Sequence, residues 1–319
     1  MAITFAGLAG FRHKTRLQRR RSRTDPYRVL DGPDAEALRL EITVPTIGHL
    51  ASFRRLEQVV RSLADSARAI SGDIEVVVVS EQGAEAHEAI AEMCGLDPDV
   101  RQLVVPAGSC TRNGTRHKAR ANQYAMEQRS PSDDLWVLHM DDDTAVTVQT
   151  LREVSLTAIS HRDPNSGVHI AQGVLTYFRP RGTKQVLLWL AESVRPADDS
   201  AKFAFFTGRL GKPLAGLHGE NLLIRSTFED EIGWDFGPDE LVEDARFALE
   251  AVHRTSARIS EFHLGRCIGS SPDTLGSFVK QRRRWAEGMC GLVRNGEIPV
   301  TKRALLSYNV VNWVFGVLQ

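Results

Sequence analysis

Apolar and polar positions change period several times along the first half of this chain. Residues 38–45 (LRLEITVP) alternate and then break at Pro45, which predicts a strand. Phe53, Leu56, Val59, Val60, Leu63, Ala67 and Ile70 recur at helical spacing, with Arg54, Arg55, Arg61 and Arg68 mostly off that stripe. Residues 53–70 therefore read as an amphipathic helix. Ile74–Val79 is an unbroken apolar run, the signature of a strand buried on both faces. A helix over 84–93, a strand at Leu103–Val105, a helix over 116–128 and a strand at Leu135–Met140 follow. Such alternation predicts an α/β architecture, a parallel sheet covered by helices. Ligands then bind beyond the carboxyl ends of the strands, where Ser80–Glu81 and Asp141–Asp143 fall.

The second half is less regular. Val168–Tyr177 reads as a strand, Lys184–Val194 as a helix, and Gly216–Arg225 as a glycine-containing turn running into a short strand. Val242–Val252 and Leu275–Leu292 read as helices. No internal repeat is present.

Composition adds little to the fold but something to the setting. The 319 residues are 42% apolar and 25% charged, with no formal net charge, which is ordinary globular composition. The charge is unevenly placed. Arg12, Lys14, Arg16, Arg19, Arg20, Arg21, Arg23 and Arg28 face a single acid, Asp25, in the first thirty residues. A basic arm on a mildly acidic body suits lipid headgroups or nucleic acid, and a solvated disordered tail is the plainer alternative. Cys94, Cys110, Cys267 and Cys290 form no CxxC pair, so a reducing compartment is expected. The apolar start, residues 1–11, is shorter than the ~20 residues a bilayer span needs. Residues 304–318 are mainly apolar, with Tyr308, Trp313 and Phe315 among them. They read as a core helix, an interfacial helix or the opening of a membrane span.

Three short elements carry chemistry. In Leu135–Thr144 (LWVLHMDDDT) an apolar strand ends in Asp141, Asp142 and Asp143. Like charges packed there are costly unless a cation neutralises them, and a hard divalent ion does so while also taking phosphate oxygens. A solvated acidic turn is the alternative. In LVEDARFALE, Glu243 and Asp244 open a helix; they either complement its dipole or supply a general base. In Gln281-Arg282-Arg283-Arg284-Trp285, Gln281, Arg284 and Trp285 share a helix face. An arginine fork suits a diphosphate and an indole offers a flat surface to a sugar; an ordinary basic helix surface with Trp285 as a core anchor is the plainer alternative. His139 reads as strand packing, while His218 in HGEN lies in a turn from which an acceptor is within reach.

DDD, then ED, then QRRRW, in that order, resembles the family 2 glycosyltransferases with the QxxRW motif, to which cellulose, chitin and hyaluronan synthases belong. The stretch HGENLLIRSTFEDEIGWDFGPDELVEDARFAL, with SPDTLGSFVKQRRRW, looks most like the Egghead-type β-mannosyltransferases. The resemblance covers about residues 38–300. It implies a GT-A fold, a Rossmann-like, mostly parallel sheet flanked by helices, with residues 38–145 as a donor half and 146–300 as an acceptor half. Residues 1–37 would be a membrane-proximal or disordered arm, and 301–319 an interfacial or transmembrane segment.

Carried over residue by residue, the resemblance makes Asp141 and Asp143 the donor DxD and the ligands of Mg²⁺ or Mn²⁺, with Asp142 beside them. Asp244 becomes the catalytic base and Glu243 its neighbour at the acceptor. Gln281 and Arg284 hold the donor diphosphate, and Trp285 lines the acceptor site, towards which the HGEN turn separately brings His218. Lys118, in HKARAN, lies against the nucleotide, and Val44-Pro45-Thr46 matches the first strand and turn. The family usually places an aspartate after the second strand; here Glu81 stands in Ser80-Glu81-Gln82-Gly83.

The implied activity is an inverting transfer of a hexose from a nucleotide sugar to a glycolipid or polysaccharide, at the cytoplasmic face of a membrane. GDP-mannose is the first-choice donor and UDP-glucose the second, with a lipid surface but no nucleic acid as partner. A sugar-phosphate nucleotidylyltransferase is disfavoured. It wants a glycine-rich basic loop after the first strand, and Thr46-Ile47-Gly48-His49 has one glycine and no Lys or Arg. A non-catalytic protein using the basic arm is the rival from outside enzymology.

Overall fold

The computed structural model describes residues 5–23, 25–178, 186–255, 257–296 and 298–315. Seven strands form one sheet in the order β3-β2-β1-β4-β6-β5-β7. They are β1 Arg39–Thr46, β2 Asp73–Glu81, β3 Val100–Val105, β4 Leu135–His139, β5 Ile170–Tyr177, β6 Leu222–Arg225 and β7 Ser260–Gly269. The helices are α1 Phe5–Arg23, α2 Pro33–Glu36, α3 Phe53–Arg68, α4 His87–Gly95, α5 His117–Glu127, α6 Val148–Ser160, α7 Val186–Glu192, α8 Arg195–Asp198, α9 Ser226–Ile232, α10 Glu243–Arg254, α11 Leu275–Arg294 and α12 Val300–Phe315. A π-helix, Asp199–Arg209, follows α8.

β1 to β4 pair in parallel, and the valines of β2 explain why helices cover both faces. Successive side chains of a strand point to opposite faces. Val76 and Val78 join the core that includes Leu56, Val59 and Leu63 of α3. Val77 and Val79 pack with Ala121 and Ala125 of α5. The expected donor half thus has the predicted architecture. β6 then runs antiparallel to β4, with His139 opposite Leu222. The sheet continues through β5 and β7 without a break, so both halves share it.

The basic arm is not a solvated tail over the described residues. Phe5–Arg23 is a helix docked on the π-helix. The approach is close enough that a Cβ on Gly10 would fall 1.6 Å from the Ala201 carbonyl oxygen. Lys14 Nζ donates to Ser200 Oγ at 2.6 Å, and Leu17 packs beside Val174, Ala204 and Phe262. Among the described residues no helix is long and apolar enough to cross a membrane. The side chains of Tyr308, Trp313 and Phe315, and residues 316–319, lie outside the described residues.

Candidate active site

The antiparallel turn of β6 builds the site. Because Leu222 pairs with His139, Glu220 reaches the sheet just beyond the end of β4, beside the aspartates. Carboxylate oxygens of Asp141, Asp143 and Glu220 all lie within 4.8 Å of one another. Three hard oxygen donors at that spacing fit a divalent cation. Thr144 Oγ1 donates to Glu220 Oε2 at 2.5 Å. Asp142 is set apart from the triad, accepting from Thr46 Oγ1 at 2.6 Å, so it ties the end of β1 to the turn after β4.

The electrostatics show how much positive charge this cluster lacks. Burial, then Asp141, Glu220 and Asp142, push the Asp143 carboxyl up to about 8. Burial, then Asp141, raise Glu220 to about 7 against the pull of Arg195. Asp142 is also raised, by burial first, with the Thr46 hydrogen bond opposing. Lys118 is the nearest compensation. It ion-pairs with Asp141 and donates to the Gly219 carbonyl at 2.6 Å. Burial opposes its charge, but Asp141, Glu243 and Glu220 together hold its pKa above the ordinary lysine value.

Asp244 reaches the same place from α10. A Cβ on Gly219 would lie 2.8 Å from Lys118 Nζ and 3.5 Å from Asp244 Oδ2, so glycine leaves room for both charges to approach. Asp244 Oδ1 accepts from the Ala245 amide at 2.7 Å. Its neighbour Glu243 is raised to about 7 by burial and by Asp244. The structure therefore gathers Thr46, Lys118, Asp141, Asp142, Asp143, Glu243 and Asp244 at one end of the sheet.

The remaining sequence candidates are placed differently. Glu81, at the end of β2, ion-pairs with Arg120, and Pro45 lies within β1, opposite Val79. His218 Nε2 sits 2.7 Å from Asp199 Oδ1, with Arg195 Nη2 3.2 Å from Nδ1. In QRRRW, Arg282 pairs with Glu192 and lies 4.5 Å over the Trp285 ring, and Arg283 pairs with Glu287 at 2.7 Å. Arg195 also lies over that ring, at 4.9 Å. Arg284 is exposed, without a side-chain partner among the described residues, and Gln281 Oε1 is buried without a hydrogen bond. No contact joins Gln281 or Arg284 to the acids among the described residues. Glu220, Arg195 and the Gly219 carbonyl escape the sequence reading. HGEN offered a signal, since a carboxylate two residues before an apolar strand repeats the DDD logic with the strand reversed.

Residues 136–319, more than half the chain, match the family described as Glycosyl transferase family group 2. The chain belongs to this family. Residues 136–319 are therefore a glycosyltransferase domain of that family. It is 30% identical over 225 residues to the Caenorhabditis briggsae beta-1,4-mannosyltransferase bre-3, covering 68% of this chain and 47% of that protein. It is 30% identical over 221 residues to the Drosophila melanogaster beta-1,4-mannosyltransferase egh, covering 67% of this chain and 46% of that protein. The chain spans about half the length of these curated relatives. Among solved structures, the mannosyltransferase PcManGT from Pyrobaculum calidifontis, in complex with GDP-Man and Mn²⁺, aligns with a TM-score of 0.55 at 17% identity. That alignment covers 85% of this chain and 69% of that one, and it supports the glycosyltransferase fold.

Proposed function

We propose that this glycosyltransferase moves a hexose from a nucleotide sugar, GDP-mannose before UDP-glucose, to a hydroxyl of a glycolipid or polysaccharide. The product is a β-linkage. The observation that carries the reading is the meeting of the Asp141, Asp143 and Glu220 carboxylates with Lys118 and Asp244 at the carboxyl end of the sheet. The mannosyl preference rests on the relatives' own names.

Asp141, Asp143 and Glu220 would hold the cation, Mg²⁺ or Mn²⁺. Bound there, the ion supplies Lewis-acid neutralisation of charge gathering on the leaving nucleoside diphosphate. Lys118 adds a fixed positive charge on the same side. Asp244 takes the proton from the attacking acceptor hydroxyl, its Oδ2 facing Gly219 as Lys118 Nζ does. A single in-line displacement leaves no sugar on the enzyme and inverts the anomeric carbon. Glu81 and Thr46 are assigned to the nucleotide side, with Gln281 and Arg284 for the diphosphate. His218, Glu243 and Trp285 go to the acceptor side.

Association with a lipid surface at the cytoplasmic face belongs to the same proposal. Its support is α1, whose Arg12, Arg16 and Arg19 are exposed beside Leu8 and Phe11, 46% and 40% exposed.

The test is turnover across a panel of nucleotide sugars, with and without Mn²⁺, and with the anomeric configuration of the product read by NMR. GDP-mannose with Mn²⁺ should give the fastest transfer and a β product. An α product from an α-linked donor would overturn the single displacement, and no turnover of any nucleotide sugar would overturn the reading.

A further inference from the structure

Arg195 opens α8, and its side chain is only 18% exposed. Its Nη1 donates to the Tyr177 hydroxyl. Its Nη2 lies 3.2 Å from His218 Nδ1 and 3.9 Å from Glu220 Oε1. The guanidinium carbon sits 4.9 Å from the centre of the Trp285 ring. His218 faces Asp199 Oδ1 with its other ring nitrogen, at 2.7 Å. The partners fix the neutral tautomer: Nε2–H donates to Asp199 while Nδ1 accepts from Arg195. The guanidinium is thus braced by a phenol, an imidazole and an indole. Its contact with Glu220 is electrostatic, beyond hydrogen-bond length.

The arrangement mirrors Lys118. One half-buried cation stands against Asp141 and another against Glu220, so the acid triad is flanked by two positive side chains. Once a divalent ion neutralises the triad, neither is needed as a counter-charge to a carboxylate. Both would then be available to a diphosphate brought to that cation. A planar guanidinium has five N–H donors, and the named partners here take two hydrogen bonds. The cation–π contact with Trp285, at 4.9 Å from the ring centre, uses no donor.

We propose that Arg195 is a further donor-binding residue: it neutralises Glu220 while the triad is cation-free, and offers its guanidinium to the donor diphosphate once a divalent cation has taken over that carboxylate. This rests on the cation-dependent transferase reading above. It assigns the diphosphate a half-buried partner outside QRRRW, where Arg284 is exposed.

The test uses the full chain and two probes, Mn²⁺ alone by electron paramagnetic resonance, then GDP and UDP at saturating Mn²⁺ by calorimetry. In Arg195→Gln a positive charge beside the cation site is gone, so Mn²⁺ alone should bind about threefold or more tightly. The same variant should bind GDP or UDP about tenfold or more weakly, having lost a charge-assisted partner. The opposite signs matter, because a merely loosened fold weakens both. Arg195→Lys keeps the charge and loses the fork; it should leave Mn²⁺ affinity within about twofold and weaken the nucleotide by an intermediate factor. If Arg195→Gln does not fold, Arg195→Lys decides, and nucleotide affinity equal to wild type overturns the proposal. Both affinities unchanged, or both weakened, in Arg195→Gln also overturns it. Wild type that binds neither nucleotide with Mn²⁺ sinks the transferase reading itself, an outcome distinct from a silent Arg195→Gln.

Discussion

Glu229 and Glu220 are both enclosed carboxylates beside β4, and their surroundings drive them in opposite directions. Glu229 on α9 accepts from Arg129 Nη1 at 2.6 Å and from Trp234 Nε1 at 2.6 Å, with His139 Nε2 at 2.9 Å. Arg129 is shared with Glu41 at 2.7 Å. Although burial opposes it, Arg129 and His139 hold Glu229 down at about 2. Glu220 has Asp141 and Asp143 for neighbours and rises. The first cluster is matched by counter-charge and ties β1, β4 and α9 to the segment that follows α5. The second lacks positive charge and is fit to receive it from a ligand. Burial alone separates nothing; the balance of counter-charge tells the structural cluster from the functional one.

That contrast can be broken in several places. Removing the proposed base should have the largest effect. Asp244→Asn should lower the rate of the proposed glycosyl transfer about 10²–10⁴-fold, the usual contribution of a positioned base, with the melting temperature nearly unchanged. Rate retained near wild type would sink the assignment.

Breaking the counter-charged cluster should instead cost stability. Glu229→Gln removes the charge that Arg129 and His139 face while Glu41 still pairs with Arg129, so unfolding in urea should show a loss of about 1.5–3 kcal/mol.

The same cluster has a pH signature. Glu229 is depressed from the ordinary 4.5 to about 2, so its stabilisation is present above pH 4.5 and is lost as pH falls towards 2. Wild type should lose stability across that window in urea titrations, and Glu229→Gln should lose measurably less.

The unbalanced cluster should respond with the opposite sign. In EDTA, Asp143→Asn relieves like-charge crowding and should stabilise the protein by about 1 kcal/mol. Adding Mn²⁺ should raise the melting temperature of wild type but not of this variant. A lower melting temperature for Asp143→Asn in EDTA would mean that the triad is not short of positive charge.

The first four strands were legible because their physics is local. One alternating segment, three apolar runs and the stripe of α3 each announce themselves over a few residues, and DDD sits where the last run stops. The rest of the sheet depends on pairings that no window shows. β6 is only Leu222–Arg225, and its direction, which delivers Glu220, is set by β4 and β5. β7 (SEFHLGRCIG) mixes Gly265 and polar residues into a buried strand, and Val148–Ser160 is a helix rich in β-branched residues and serine. The π-helix has no amphipathic period of its own to read, yet Asp199 within it orders His218 and, through it, Arg195. The charge of α1 was plain; its packing was written only in Gly10 and Leu17, which a sequence cannot distinguish from chance.

The most direct test of the cation-dependent donor site is calorimetric titration of GDP-mannose into the full chain, in Mn²⁺ and in EDTA, for wild type and Asp143→Asn. Saturable binding to wild type in Mn²⁺ is predicted, weakened at least about tenfold by EDTA or by the substitution. Equal affinity in EDTA and Mn²⁺, or full affinity in Asp143→Asn, would contradict it.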